Sequence, residues 1–168
     1  MMRPLDCSDL QAFMQRNGIA GEIVLLTMPT LTVESAAQAV GVSVQRIVKS
    51  LLFLVDEQPV VAIACGLAPV KREALARHYH VGRKRVRLAP AEMVLQVSGY
   101  AVGAMPPFGH LRRLPTLIDP LVLQQPEVYA GGGAENALLR LSPQELLRAT
   151  QAEVVPLLAL SDADSSQI

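Results

Sequence analysis

Hydrophobic residues recur in short runs that glycine, proline and charged residues interrupt, and this pattern predicts many short strands. The clearest pair of strands covers 48–55 and 60–65, because these apolar runs flank the polar segment 56–59 and so predict a β-hairpin. The segment 81–88 alternates basic and apolar residues, which is typical of a strand with one face in water. The remaining strands are predicted at 22–27, 100–104, 116–119, 128–130, 138–141 and 154–160.

Five helices are predicted, each from a capping residue or a proline at its start. The first, 9–17, follows a capping box of Ser8 and Gln11, and the second, 32–40, is closed by Gly41. The others are predicted to begin at Pro69, at Pro90 and at Ser142, with Glu145 as the reciprocal partner of the Ser142 cap.

The order of these elements indicates the fold class. Strands and helices do not alternate strictly, and the hairpins imply antiparallel pairing. We therefore expect an α+β fold, a mixed and largely antiparallel sheet or open barrel flanked by helices. A chain of 168 residues can bury one core, and no linker divides it, so residues 1–160 are expected to form a single domain. The polar residues 161–168 are expected to be a frayed tail.

Composition narrows the class of protein. The 15 basic and 15 acidic residues balance, so net charge favours neither a nucleic acid nor a membrane as partner. Cys7 and Cys65 are too few for a disulfide framework or a zinc site, and His78, His80 and His110 lack metal-ligand spacing, so no metal or other cofactor is expected. Without a signal-peptide core or a long apolar span, we expect a cytoplasmic protein that does not contact membranes.

Basic residues are concentrated in one segment of the chain. Seven lysines and arginines lie within 71–87, although the whole chain is neutral. The segment forms either a solvated helix face with an edge strand or a surface that contacts phosphates, and the pattern leaves both open. The candidate phosphate-binding residues are Lys71, Arg72, Arg83, Lys84 and Arg85.

The segment 103–109 is the strongest candidate for a binding loop. It contains two glycines and two adjacent prolines directly after an apolar run. Proline fixes φ and glycine allows a close approach, so the loop would be stiff, with backbone groups facing a ligand. Backbone amides at such a turn can polarise a carbonyl, as an oxyanion hole does. The candidate residues follow the form Gly-x-x-x-Pro and are Gly103, Ala104, Met105, Pro106 and Pro107.

Two further features are candidates for binding. Lys49 and Ser50 are polar positions in an otherwise apolar strand, where a lysine either meets an anion or extends its stem to water. The run Gly131, Gly132 and Gly133 lacks the lysine and hydroxyl residue of a phosphate-binding loop. It predicts either a hairpin turn or a wall where a substrate comes near the backbone. The sequence offers no obvious general base.

In order and spacing, these features resemble the YbaK-type aminoacyl-tRNA deacylases. That family includes the editing domain inserted in bacterial prolyl-tRNA synthetases and its free-standing relatives. The likeness covers roughly 32–153. Its landmarks are 39–42, the strand 47–53, the helix 70–78, Gly103 with Pro107 and Gly109, Ile118 with Asp119, the three glycines 131–133, and 141–146.

The resemblance implies the fold of that family and an enzyme that hydrolyses the ester between a wrong amino acid and the 3′ end of a tRNA, usually proline tRNA. It implies that Lys49 holds the terminal adenosine and its phosphate, and that the loop from Gly103 to Pro107 holds the aminoacyl part and polarises its carbonyl. The expected catalytic residues are thus Lys49 and Gly103. The substrate-binding residues are Ser50, Ala104, Met105, Pro106, Pro107, Gly131, Gly132 and Gly133.

The resemblance also indicates partners and leaves the amino acid open. The chain lacks a synthetase body, so we expect it to act in trans on aminoacylated tRNA, with a prolyl-tRNA synthetase as a further candidate partner. Alanine-specific members often carry a histidine near the glycine-rich strand, where this chain has 134–137 without one. Cysteine-specific members often have a serine where this chain has Pro106.

Two other functions remain compatible with the sequence. One is a module of the same fold that binds tRNA or a synthetase without turnover. The other is a hydrolase of a small nucleotide or acyl ester that involves no tRNA. Salt dependence separates tRNA from small esters, because binding through several phosphates weakens steeply with salt.

Overall fold

The computed structural model describes residues 3–158, which contain five α-helices and eight strands. In chain order these are α1 (Cys7–Arg16), β1 (Glu22–Leu25), α2 (Val33–Val40), β2 (Val48–Val55), β3 (Gln58–Cys65), α3 (Arg72–Tyr79), β4 (Val86–Leu88), α4 (Ala91–Ser98), β5 (Thr116–Ile118), β6 (Val128–Gly131), β7 (Ala137–Leu141), α5 (Pro143–Thr150) and β8 (Glu153–Val154). Short 3₁₀ helices occupy Val44–Arg46, Arg83–Arg85 and Pro120–Gln124. The predicted tail 161–168 lies outside the described residues.

The strands form two sheets. One has the order β1-β7-β6 and is antiparallel, and the other has the order β4-β2-β3-β5-β8. In the second sheet β2 pairs antiparallel with β3 and β4, whereas β5 pairs parallel with β3 and β8. A parallel bridge between Ile47 and Tyr129 joins the two sheets at the start of β2. This arrangement confirms the predicted α+β fold with open, mixed sheets flanked by helices.

The β2–β3 hairpin separates two parts of the core. Because side chains alternate along a strand, Leu52 and Leu54 pack into the larger cluster with α1, α4 and α5. Phe53 and Val55 pack on the opposite face beneath α3. The hairpin turn is shorter than predicted, since only the two residues Asp56 and Glu57, with φ of 50° and 66°, connect the strands.

Capping of α1 differs from the prediction. The N-cap is Asp6, whose carboxylate accepts hydrogen bonds from the amides of Ser8 and Asp9. The Asp9 carboxylate accepts the Asp6 amide in return, at 2.8 Å. The predicted capping box of Ser8 and Gln11 is therefore wrong, because the helix begins at Cys7 and Ser8 already lies inside its first turn.

The start of α5 is confirmed in part. Ser142 is the N-cap and its hydroxyl accepts the Glu145 amide at 3.1 Å. The Glu145 carboxylate does not close the box, because it accepts instead from the Ala20 amide and from Arg148. These two donors, Arg148 first, lower the pKa of Glu145 to about 2. The predicted reciprocal bond is replaced by a link between α5 and the segment before β1.

Three predicted elements are corrected by tertiary contacts. Only Val86–Leu88 of the predicted strand 81–88 is extended, because Arg83–Arg85 forms a 3₁₀ turn. Residues 100–104 form turns rather than a strand. Helix α3 begins at Arg72 instead of Pro69, since the Lys71 amide donates to the Leu157 carbonyl at 2.8 Å and holds the preceding chain extended. None of the helices within 3–158 has the length and apolar character needed to cross a membrane.

Candidate functional site

An apolar cavity of about 620 Å³ opens between the start of β2, the start of α2, the end of β4 and the segment 102–105. The cavity brings together five predicted site residues from distant parts of the chain. These are Lys49, Ser50, Gly103, Met105 and Gly131. The other predicted site residues lie outside its wall, namely Ala104, Pro106, Pro107, Gly132 and Gly133.

The cavity exists because β2 is only partly covered. Strand β4 pairs with β2 at Phe53–Val55, and the Ala89 amide adds one bond to the Leu52 carbonyl at 2.9 Å. Toward the start of β2, the next pairing with a strand other than β3 among residues 3–158 is the bridge of Ile47 to Tyr129. Lys49 and Ser50 therefore lie on an open strand edge, where an extended backbone can meet a ligand.

Lys49 is held by the backbone rather than by an acid. Its ammonium donates to the Ala68 carbonyl at 2.7 Å and to the Gly66 carbonyl at 3.3 Å. The side chain is half-buried, and burial lowers the pKa of Lys49, which nearby Cys65 partly offsets. A lysine ammonium has three N–H donors, so one remains for a ligand.

Ser50 has a buried hydroxyl that lacks a partner. Its Oγ is inaccessible to solvent and makes no hydrogen bond to any residue in the range 3–158. Buried polar atoms in native proteins are nearly always paired, because leaving one unpaired is unfavourable. Ser50 contributes to the cavity wall, but its hydroxyl is covered by the protein, so we assign it no contact to a ligand.

The loop 103–107 is fixed by several contacts. Gly103 has a φ of 92°, which favours glycine, and the Ala104 amide donates to the Ala101 carbonyl at 3.0 Å. His110 donates from Nε2 to the Pro106 carbonyl at 2.8 Å, and burial lowers the pKa of His110. The amides of Gly103 and Met105 make no hydrogen bond within the described chain, so they are the candidate donors to a substrate carbonyl.

Two of the three glycines at 131–133 contact this loop. A Cβ on Gly131 would lie 2.2 Å from the Met105 carbonyl oxygen, so the two backbones touch. The Gly133 amide donates to the Ala104 carbonyl at 2.9 Å, and Gly132 abuts the backbone of Ala137. Of the three, only Gly131 lines the cavity; Gly133 binds the loop through Ala104, whereas Gly132 packs against β7.

Comparison with known proteins places the chain in a family. Residues 27–149 match the family model of the aminoacyl-tRNA editing domain. The chain belongs to the aminoacyl-tRNA editing domain family. This membership confirms the resemblance predicted from the sequence.

Individual relatives of this editing domain agree with the family match. It is 33% identical to the uncharacterized protein YwhH of Bacillus subtilis over 116 residues, 68% of this chain and 72% of YwhH. It is 31% identical over 88 residues to a proline–tRNA ligase of Ligilactobacillus salivarius, which is 52% of this chain but 15% of the ligase. A crystal structure of a candidate trans-editing enzyme for prolyl tRNA synthetase matches with a TM-score of 0.85 at 34% identity, covering 92% of this chain and 97% of that chain.

Much of the cavity wall of the editing domain was not predicted from the sequence. Leu31 lies beside Gly103: a Cβ atom added to Gly103 would be in van der Waals contact with Cδ2 of Leu31, at 3.5 Å. The apolar wall residues could not be recognised from the local sequence, because they come from separate segments that only the fold brings together. The unpredicted wall residues include Leu31, Val33, Ala36, Leu88, Val94 and Val102.

The basic residues at 71–87 are partly engaged and lie outside the cavity wall of the editing domain. Three of the five candidates have partners: Arg83 with Glu73 at 2.9 Å, Arg85 with Asp56 at 2.6 Å, and Arg72 with the Val86 carbonyl at 3.5 Å. Lys71 and Lys84 are exposed and pair with no acid within residues 3–158. These two lysines are the strongest remaining candidates for phosphate contacts.

Proposed function

We propose that this editing domain is a free-standing deacylase that removes a small mischarged amino acid from the 3′ end of proline tRNA. The observation that carries the proposal is that Lys49, Ser50 and Gly103 line one apolar cavity. Two of the relatives above are named for the prolyl system, which supports proline tRNA as the carrier.

The cavity has the size and polarity that such a substrate needs. Ligand sites usually measure about 300–1,000 Å³ and combine apolar walls with a few polar groups. A volume of about 620 Å³ can hold the terminal adenosine together with a small acyl group. A larger side chain would meet the wall, so the cavity would act as a size filter after the synthetase has failed to reject a small amino acid.

The Lys49 ammonium and two loop amides each have a role in the proposed hydrolysis. The remaining N–H of Lys49 would hold the terminal adenosine or its phosphate, and the amides of Gly103 and Met105 would polarise the ester carbonyl. A water oxygen then bonds to the acyl carbon, the ester C–O bond breaks, and the ribose oxygen takes a proton. Within the described chain the cavity wall offers no carboxylate or histidine as base, so positioning of an already activated ester would drive the reaction.

A deacylation panel tests the proposed function. Proline tRNA would be charged in turn with proline, alanine, cysteine, serine and 2-aminobutyrate, and the loss of each acyl group would be followed with and without protein. We expect rapid loss of one small non-cognate group, with prolyl-tRNA spared. If every ester is lost only at the uncatalysed rate, the protein is not a deacylase of this tRNA, and a tRNA-binding titration would then test for a non-catalytic module.

Gly103→Val is expected to lower the kcat/KM of deacylation about tenfold or more. The reason is the φ of 92° at Gly103, which a β-branched residue rarely adopts, so the loop must move away from the acyl group. Gly82→Val is the control, because Gly82 has open space around its Cβ position and lies outside the cavity. Equal turnover in the two variants would remove the loop from the carbonyl-binding role.

The double variant Lys71→Ala, Lys84→Ala is expected to weaken tRNA binding and to reduce its salt dependence. Each lysine that contacts a phosphate contributes about one to the slope of log affinity against log salt concentration. The slope should therefore fall by about two, as measured by titration at several salt concentrations. Arg16→Ala on α1 is the control, and a slope that both variants leave unchanged would place the phosphate contacts elsewhere.

A further inference from the structure

The cavity contains a single kind of charge. Lys49 is the only ionisable residue that lines it among residues 3–158. The remaining wall consists of apolar side chains, glycine, and the hydroxyls of Thr30, Thr32 and Ser50. A positively charged ligand group inside this cavity would face a cation and would find no carboxylate opposite it.

Charged groups on the surrounding elements do not supply the missing negative charge. Glu34, Glu92 and Glu135 are the nearest carboxylates along the chain, but all three are exposed and lie outside the cavity wall, where water and salt screen them. The two arginines on adjoining strands are engaged with acids, Arg87 with Glu57 at 3.1 Å and Arg140 with Glu22 at 3.0 Å.

An amino acid ester carries an amine beside its carbonyl, and the charge of that amine decides whether it suits this cavity. As an ammonium it can only donate hydrogen bonds, and it repels the ammonium of Lys49. As a neutral amine, or replaced by a hydroxyl, it carries no charge, so the ammonium of Lys49 does not repel it.

We propose that the cavity selects tRNA esters whose acyl group is uncharged next to the carbonyl. This class comprises aminoacyl esters with a deprotonated amine and also α-hydroxyacyl esters such as lactyl-tRNA. The inference rests on the proposed deacylase function and defines the substrate class of the same site. The second reaction is a hydrolysis like the first: water adds to the acyl carbon, the ester C–O bond breaks, and free lactate leaves while the ribose oxygen takes a proton.

The test compares alanyl-tRNA with L-lactyl-tRNA on the same tRNA. Deacylation rates would be measured between about pH 6 and pH 8, a range that covers much of the titration of an α-amino group, and corrected for hydrolysis without protein. We expect the alanyl rate to rise up to about tenfold per pH unit below the pKa of the amine. Because Lys49 serves both esters, its own titration cancels in the ratio of the two rates, and the lactyl-to-alanyl ratio should fall as the pH rises.

Two results would overturn this inference while leaving deacylation of amino acids in place. They are a lactyl-to-alanyl ratio that is independent of pH, and hydrolysis of alanyl-tRNA with lactyl-tRNA untouched. If neither ester is hydrolysed although other charged tRNAs are, the selection for uncharged acyl groups is also wrong. If no charged tRNA is hydrolysed, the proposed function itself fails and this inference fails with it.

A matched pair of variants tests whether the missing carboxylate is the reason for the selection. Val33 lines the cavity and is half-buried in the first turn of α2, where glutamate and glutamine are both compatible with a helix. Val33→Glu adds a carboxylate, whereas Val33→Gln has the same shape without charge. We expect the ratio of alanyl to lactyl hydrolysis at about pH 6 to be severalfold higher in Val33→Glu than in Val33→Gln, because the carboxylate pairs with the ammonium. Equal ratios in the two variants would contradict the missing counter-charge as the reason for selection.

Discussion

Lys49→Met is expected to lower the kcat/KM of deacylation about a hundredfold. The variant keeps most of the apolar stem of the lysine but removes the one cation that lines the cavity within residues 3–158. A hydrogen bond to a charged group contributes about 1.5–3 kcal/mol, and the upper part of that range corresponds to about a hundredfold. The measurement is single-turnover deacylation of the ester that the panel identifies, at subsaturating and saturating protein.

The same variant has a structural cost that the sequence did not indicate. From the pattern alone, Lys49 is a lone lysine in an apolar wall, whose removal should not matter to stability. In the structure its ammonium binds the carbonyls of Gly66 and Ala68, so Lys49→Met leaves two acceptors without their donor. We expect a loss of about 1–2 kcal/mol in the free energy of unfolding, measured by urea denaturation.

Lys49→Arg is the matched control, because it keeps the charge but replaces the compact ammonium with a planar fork. We expect intermediate activity from this variant. Full activity in Lys49→Met, in protein shown to be folded, would exclude Lys49 as the anchor of the tRNA end. The remaining candidates for that role would then be the backbone groups at the open edge of β2.

The fold could be predicted where local chemistry decides the structure. The β2–β3 hairpin follows from two apolar runs around a polar turn, and the start of α2 follows from the Thr32 cap, which binds the Ser35 amide at 3.0 Å. Prediction failed where tertiary contacts decide. The alternating residues 81–88 satisfy a strand pattern, yet only Val86–Leu88 pair with β2, because the preceding residues turn at Gly82.

The candidate site was likewise predicted where the local sequence decides and missed where tertiary contacts decide. Lys49 and the loop at Gly103 could be predicted because a cation in an apolar strand and a Gly-x-x-x-Pro loop are visible in the sequence. Their common cavity could not be predicted from pattern, since its walls come from the start of α2, the end of β4 and the strands β6 and β7. The support given by Gly131 and Gly133 was also hidden, because glycine marks a close approach without naming the partner.

Gly131→Ala is expected to lower the deacylation rate by displacing the loop 103–107, which Gly131 contacts. The added Cβ would lie 2.2 Å from the Met105 carbonyl oxygen, far inside van der Waals contact, and that atom belongs to the backbone rather than to a flexible side chain. The Met105 segment must therefore move by about an ångström. A misplacement of that size can cost about a hundredfold in rate, and overpacking usually destabilises by roughly 1–3 kcal/mol.

Two measurements separate displacement of the loop from general unfolding. Urea denaturation gives the loss of stability, and kcat/KM is then measured under conditions where the variant is fully folded. Gly82→Ala is the control, because the same methyl group meets no atom within 4 Å there and both quantities should stay near wild type. If folded Gly131→Ala keeps wild-type turnover, the Met105 carbonyl tolerates displacement. The fixed geometry of the loop would then not be what polarises the ester, and Lys49 would remain as the proposed contact to the tRNA end.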